Sequence, residues 1–256
     1  MGRPLSQDVA SVLPERTYLY GATGRGEYEV HHGEEFINPI GTRVIAVDAG
    51  TIIVAGEDKL PLCGAGLNQV CGGFPDYYGK VVILRLERTY EGKPLFALYG
   101  HLSEVQVRPG QRVVRGDVLG LVGQTGFAIG PHLHFEVRYS DNSYSQTRNP
   151  TLWLEPLKGT GVLAGRLQDR FGNPIRAAAI IIYADDELGT YLYDTETYAI
   201  DRQPRVNSDD VLQENWAIPD IPAGNYLVRA YVGGLVFSRR ITVRPGQLEF
   251  VLFSNK

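Results

Sequence analysis

The chain has 256 residues, with 25 basic and 29 acidic side chains and a formal net charge of -4. That balance leaves no cationic surplus to hold a phosphate backbone, which makes nucleic acid a poor partner. No apolar run reaches the roughly 18 residues of a membrane-spanning helix, and Met1-Gly2-Arg3-Pro4 opens no signal-peptide pattern, so compartment has to be argued indirectly. Glycine (30), proline (15) and tyrosine (15) are abundant while methionine occurs once, a bias that suits short strands joined by tight turns. The expectation is an all-β chain long enough for two modest domains.

In chain order, the first group rich in potential ligands is His31-His32-Gly33-Glu34-Glu35, where Gly33 permits a backbone bend between imidazoles and carboxylates. Strands are expected over Thr42–Val54, Lys80–Leu86, Leu95–Leu98, Asp117–Val122 and His132–Tyr139, each rich in β-branched or aromatic residues and bounded by turn residues. Cys63 and Cys71 sit in a glycine-rich loop, and a disulfide closing it is the preferred reading; two free thiols remain the alternative. Turn signals at Pro109-Gly110 and Arg115-Gly116 add to a hairpin-rich architecture, and no segment up to Tyr139 has a sustained helical period.

A break is expected near Asn149-Pro150, followed by a flexible joint at Lys158-Gly159-Thr160-Gly161, so the domains are set at residues 1–158 and 159–256. Beyond it, Gly161–Leu167, Ala177–Tyr183, Tyr226–Val232 and Val236–Val243 read as strands of a β-sandwich. The acidic, tyrosine-rich stretch Asp185–Asp210 is the poorest in strand signal and is expected to be a long loop. No histidine or cysteine falls in this second half, so the chemistry is expected in the first.

All five histidines fall into three groups: His31-His32, His101, and His132 with His134. Strand alternation in His132-Leu133-His134-Phe135-Glu136-Val137 sends His132, His134 and Glu136 to one face and the apolar residues to the other. An imidazole and a carboxylate from the first group, added to an imidazole from the last, make a His-Glu-His set of the kind that holds catalytic zinc with one position open. Taken singly, each group also reads as an ordinary polar surface; the case rests on the three together.

These residues resemble the lysostaphin-type zinc endopeptidases, whose pattern is a histidine four residues before an aspartate, then Tyr-x-His-Leu, then His-x-His closing a glycine-rich phrase. The corresponding stretches here are His31 to Glu35, Tyr99-Gly100-His101-Leu102 and Gly130-Pro131-His132-Leu133-His134. The resemblance covers roughly residues 15 to 155. It implies an N-terminal lysostaphin-type antiparallel β-sandwich (a duplicated hybrid motif), zinc held by His31, Glu35 and His134, and His101 with His132 assisting catalysis. It also implies hydrolysis of peptide bonds in bacterial peptidoglycan, and hence a secreted or envelope-exposed, extracytoplasmic location.

Glu35 stands where the family has aspartate, which lengthens the carboxylate arm by one methylene, and Glu34 could serve in an altered register. The second half, through Gly165–Ile175 and Ile221–Val228, more loosely resembles transthyretin-like (prealbumin-like) or carboxypeptidase-regulatory-like β-sandwiches. Two rival readings are a catalytically degenerate binding or activator protein of the same fold, and a swivelling carrier domain, which would need a lysine at a hairpin tip. No lysine lies between Lys93 and Lys158. A serine hydrolase is disfavoured by the lack of a Gly-x-Ser-x-Gly elbow.

Overall fold

The computed structural model describes residues 1–6, 9–59, 72, 74, 76–201 and 205–254. Cys63 and Cys71, and with them the expected disulfide, lie outside the described residues. The chain divides into two compact units: Met1–Glu15 with His32–Leu154, and Arg16–His31 with Glu155–Lys256.

The first unit is built from β1 (Glu34–Ile37), β2 (Arg43–Ile45), β3 (Gly50–Glu57), β4 (Lys80–Tyr90), β5 (Lys93–Leu102), β6 (Glu104–Val105), β7 (Arg112–Val113), β8 (Val118–Leu121), β9 (His132–Tyr139) and β10 (Thr147–Arg148). A seven-stranded sheet runs β1-β9-β5-β4-β3-β7 with β10 also on β9, and a three-stranded sheet runs β2-β8-β6. The strand expected over Thr42–Val54 is two strands, β2 and β3, in different sheets. The link between them turns at Asp48, whose carboxylate accepts the Ala49 N–H at 2.9 Å.

The main core gathers Phe36, Val44, Ile52, Val82, Leu84, Ala97, Tyr99, Leu119, Leu133, Phe135 and Val137. These come from strands of both sheets. A second cluster of Tyr78, Val81, Ile83, Leu98 and Tyr144 covers the other face of the seven-stranded sheet. Alternate residues of β4 therefore enter different clusters, which explains why Val81–Leu84 is an unbroken apolar run rather than an alternating one. The same parity divides β9: Leu133, Phe135 and Val137 enter the main core, leaving His132, His134 and Glu136 to the opposite face.

The second unit contains β11 (Thr160–Gln168), β12 (Ala179–Ala184), β13 (Tyr191–Glu196), β14 (Trp216–Pro222), β15 (Gly224–Val232), β16 (Leu235–Val243) and β17 (Leu248–Ser254). They form sheets of order β14-β11-β17 and β13-β12-β15-β16, whose inward residues share one cluster around Trp216, Leu163, Ile180, Val228 and Phe253. β11 and β17 pair in parallel; the other strand pairs are antiparallel. Asp185–Asp210 is not one long loop, because β13 lies inside it and pairs with β12. As an edge strand with half-buried side chains, β13 tolerates Asp194 and Glu196, and its alternation is too weak to read.

Within this unit Glu214 is fully buried, accepting hydrogen bonds from the Tyr198 hydroxyl (3.0 Å) and the Asp209 N–H (2.9 Å). Burial pushes its carboxyl up to about 7 from an ordinary value of 4.5. A carboxyl that holds its proton more tightly when folded favours the native state below pH 4.5, and this contribution is lost as pH rises towards 7. Thermal melts from pH 4.5 to 8 should show a fall in stability that is flattened in Glu214→Gln; parallel curves for parent and variant would contradict this assignment.

Candidate metal centre

β1 and β9 are antiparallel neighbours with Glu35 directly opposite His134 and Ile37 opposite His132. Residues opposed in this way project to the same side, with Cβ atoms about 4.5–5.5 Å apart. Gly33 matters through close approach rather than through a bend. A Cβ there would meet the Phe135 carbonyl oxygen at 2.5 Å and the His134 ring at 2.8 Å, so only glycine lets the chain enter β1 across this ring. His31, Glu35 and His134 offer ligand atoms that all lie within 4.8 Å of one another. Two imidazoles and a carboxylate are a donor set that zinc accepts, and His31 and His134 are buried while Glu35 is partly accessible.

The second nitrogen of each ring decides which one is left for an ion. His31 Nδ1 donates to the Tyr18 carbonyl at 2.7 Å, and its ring stacks on Tyr18 at 4.1 Å between centroids. Its Nε2 then carries the lone pair. His134 is held the other way round, with Nε2 3.1 Å from Glu136 Oε1. Burial works against the Glu136 charge, but the Arg138 guanidinium and the His134 hydrogen bond outweigh it and hold its pKa at about 2. An ionised Glu136 only accepts, so His134 donates through Nε2 and presents Nδ1 to the site.

Arg138 Nε donates to Glu136 Oε2 at 2.8 Å, its Nη2 donates to the Tyr78 hydroxyl at 3.0 Å, and that hydroxyl donates to Glu136 Oε1. Glu136 and Arg138 are completely buried.

His101 and His132 complete the group, with ring centroids 4.7 Å apart and His101 5.6 Å from His134. Each donates Nδ1–H to a carbonyl of one loop: His101 to Thr125 at 2.9 Å and His132 to Gly130 at 2.8 Å. Both therefore present an unprotonated Nε2, and that of His132 lies 3.5 Å from Glu35 Oε1. Burial, followed by repulsion from His134 and His132, lowers the His101 pKa to about 3, so its ring is neutral at physiological pH. Burial also lowers that of His132, against the opposing pull of Glu35.

His32 and Glu34, the other members of the first group, are engaged elsewhere. His32 stacks on Tyr144 at 4.1 Å and its Nδ1 lies 3.0 Å from the Thr147 hydroxyl. Glu34 accepts a hydrogen bond from Thr151.

The five residues singled out in the sequence thus converge. What sequence reasoning missed is their support: Tyr18, Tyr78, Arg138 and the carbonyls of Thr125 and Gly130. Arg138 had a readable signal, since it continues the alternation of His134 and Glu136 on β9. The carbonyls had none.

Residues 29–146 match the model of Peptidase family M23. Peptidoglycan DD-endopeptidase ShyA of Vibrio cholerae serotype O1 is 33% identical over 107 residues, which are 42% of this chain and 20% of that protein. Glycyl-glycine endopeptidase ALE-1 of Staphylococcus capitis is 30% identical over 125 residues, 49% of this chain and 29% of that protein. The solved catalytic domain of lysostaphin from Staphylococcus simulans is 27% identical, with a TM-score of 0.42 over 55% of this chain and 91% of that one. The match spans less than a third of the length of either curated relative. All five histidines and Glu35 fall inside the residues that match that family's model.

Proposed function

We propose that the chain is a zinc-dependent metalloendopeptidase that hydrolyses peptide bonds of bacterial peptidoglycan. The observation that carries this reading is the convergence of His31, Glu35 and His134 on one point, with the other nitrogen of each imidazole already engaged. His31 through Nε2, Glu35 through its carboxylate and His134 through Nδ1 would hold the ion. Bound zinc supplies Lewis acidity, polarising the scissile carbonyl and making water acidic enough to provide hydroxide near neutral pH. Of the two rings that turn an Nε2 lone pair to the site, His132, whose protonated form Glu35 favours, is the one suited to accept a proton from the attacking water and return it to the leaving amine. The Thr125 and Gly130 carbonyls hold these rings in the tautomer that work needs.

Peptidoglycan peptides as substrate rest on the names of the relatives, one a peptidoglycan DD-endopeptidase and the other a glycyl-glycine endopeptidase. Such a substrate carries with it an extracytoplasmic location. We further propose that residues 1–158 are the endopeptidase domain and residues 159–256 a transthyretin-like β-sandwich that supports it; seven strands in two sheets around one apolar cluster favour that reading.

Metal analysis should find about one zinc per chain, lost in Glu35→Ala together with hydrolysis of peptidoglycan. A parent protein that takes up no zinc would remove the enzyme reading in favour of a binding protein. Glu136→Gln should weaken zinc binding by about 10- to 100-fold in a competitive chelator titration, because His134 loses its charged acceptor. Unchanged affinity would mean that Glu136 does not position this ligand.

A further inference from the structure

The second compact unit holds a cleft of about 870 Å³, a size typical of binding sites. All six residues of β13, Tyr191–Glu196, line it. Successive strand residues face opposite sides of a sheet, so a cleft bounded by every one of them runs along the strand's edge and not over either face. That edge is open. β13 is the end strand of its sheet and pairs with β12 alone, and no backbone hydrogen bond reaches its outer side among the described residues. The amide and carbonyl groups that β12 does not take up are therefore presented to the cleft.

The opposite wall leaves this edge uncovered. Near the end of β13 the Gly21 carbonyl accepts the Ala199 N–H at 2.9 Å, and the Thr23 N–H and hydroxyl both donate to the Glu196 carboxylate. The chain then departs in a tight turn, in which Tyr28 N–H donates to the Thr23 carbonyl at 2.9 Å and Gly26 N–H to the Thr23 hydroxyl at 3.0 Å. From that turn Arg25 Nη2 reaches back to Asp194 Oδ2 at 2.9 Å, an exposed ion pair that contributes little.

The two sides of the cleft differ in chemistry. Leu192 and Ile218 line it and pack on the unit's apolar core. Asp194 and Glu196 lie opposite Ile181 and Ala179, between the inward-facing Ile180 and Ile182, and so project to the outer face. With Glu27 they outnumber Arg16 and Arg25 among the charged residues of the lining.

We infer that β13 accepts an extended peptide as an added strand, with apolar side chains turned inward to Leu192 and Ile218 and basic ones outward beside Asp194 and Glu196. This is independent of the endopeptidase reading.

The test is fluorescence anisotropy on the full chain with labelled hexapeptides Lys-Val-Lys-Val-Lys-Val and Glu-Val-Glu-Val-Glu-Val. The Lys peptide should bind at least about fivefold more tightly than the Glu peptide, the scale of a few exposed charge contacts. Two further forms of the Lys peptide carry N-methyl groups on either the three Lys or the three Val nitrogens. In an added strand only alternate residues bond to the neighbour, so one methylated form should lose about tenfold or more in affinity while the other stays within about twofold. Ala179→Trp, at an exposed position that lines the cleft, should weaken binding of the Lys peptide by about tenfold, the scale of blocking a large part of the contact. Equal loss from the two methylated forms, equal affinity for the Lys and Glu peptides, unchanged binding by Ala179→Trp, or no binding of either peptide would overturn the inference. None of these readouts involves zinc or hydrolysis, so failure here leaves the endopeptidase reading standing, and a chain that takes up no zinc can still bind the peptide.

Discussion

The pairing of β1 with β9 is the constraint on which the rest depends. Phe36 lies opposite Leu133 and both are fully buried, while Glu35 lies opposite His134. Because strand side chains alternate, the register that sends Phe36, Leu133 and Phe135 into the core also fixes Glu35 and His134 on the opposite face. A slip of one residue would expose apolar groups each worth about 1.5–3 kcal/mol when buried. The alignment of a carboxylate with an imidazole is therefore enforced by hydrophobic packing on the far side of the sheet. No ion is needed to create it.

Behind that pair lies a buried ion pair whose value is positional. Removing Glu136 and Arg138 from water costs each several kcal/mol, and their mutual attraction repays this only when the remaining polar atoms are satisfied. Here they are well supplied: Arg138 also donates to the Asn142 backbone and side-chain oxygens, both at 3.2 Å, and Tyr78 bridges the two charges. An apolar pair of similar size could fill the same space. It could not hold His134 in one tautomer with Nδ1 towards Glu35, and that is what the network adds to the site.

Much of this was legible in the sequence, for identifiable reasons. The alternation of β9 and the unbroken run of β4 follow from which faces are covered, and the three histidine groups were expected to meet. β13 was missed because an edge strand need not alternate cleanly. The division of Thr42–Val54 was missed because two strands of similar composition in different sheets look like one. The segment Arg16–His31, which falls in the second compact unit, gives no compositional sign of doing so. Seats made of backbone carbonyls leave no trace in residue identity, so the tautomers of His31, His101 and His132 could only be read from coordinates.

His101 shows where pattern reasoning must fail at such a site. On β5, Leu95, Ala97 and Tyr99 all face the main core, and regular alternation would send His101 there as well, away from His134. Between β4 and β5 the register shifts: Val82 pairs with Tyr99 but Lys80 pairs with Leu102, so β5 carries one extra residue. That bulge exchanges the faces. Leu102 takes the core position, and His101, in a left-handed conformation with φ of 61°, turns its ring towards His132 and His134. A non-glycine residue held this way costs on the order of 1–3 kcal/mol, offset by its N–H bond to the Tyr78 carbonyl at 2.8 Å, its ring bond to Thr125 and the burial of Leu102. Gly100 is part of the same device, because a Cβ opposite His134 would crowd Tyr78 at 3.1 Å. A strand that breaks its own period to bring one imidazole across the sheet is shaped by the site, not by packing alone.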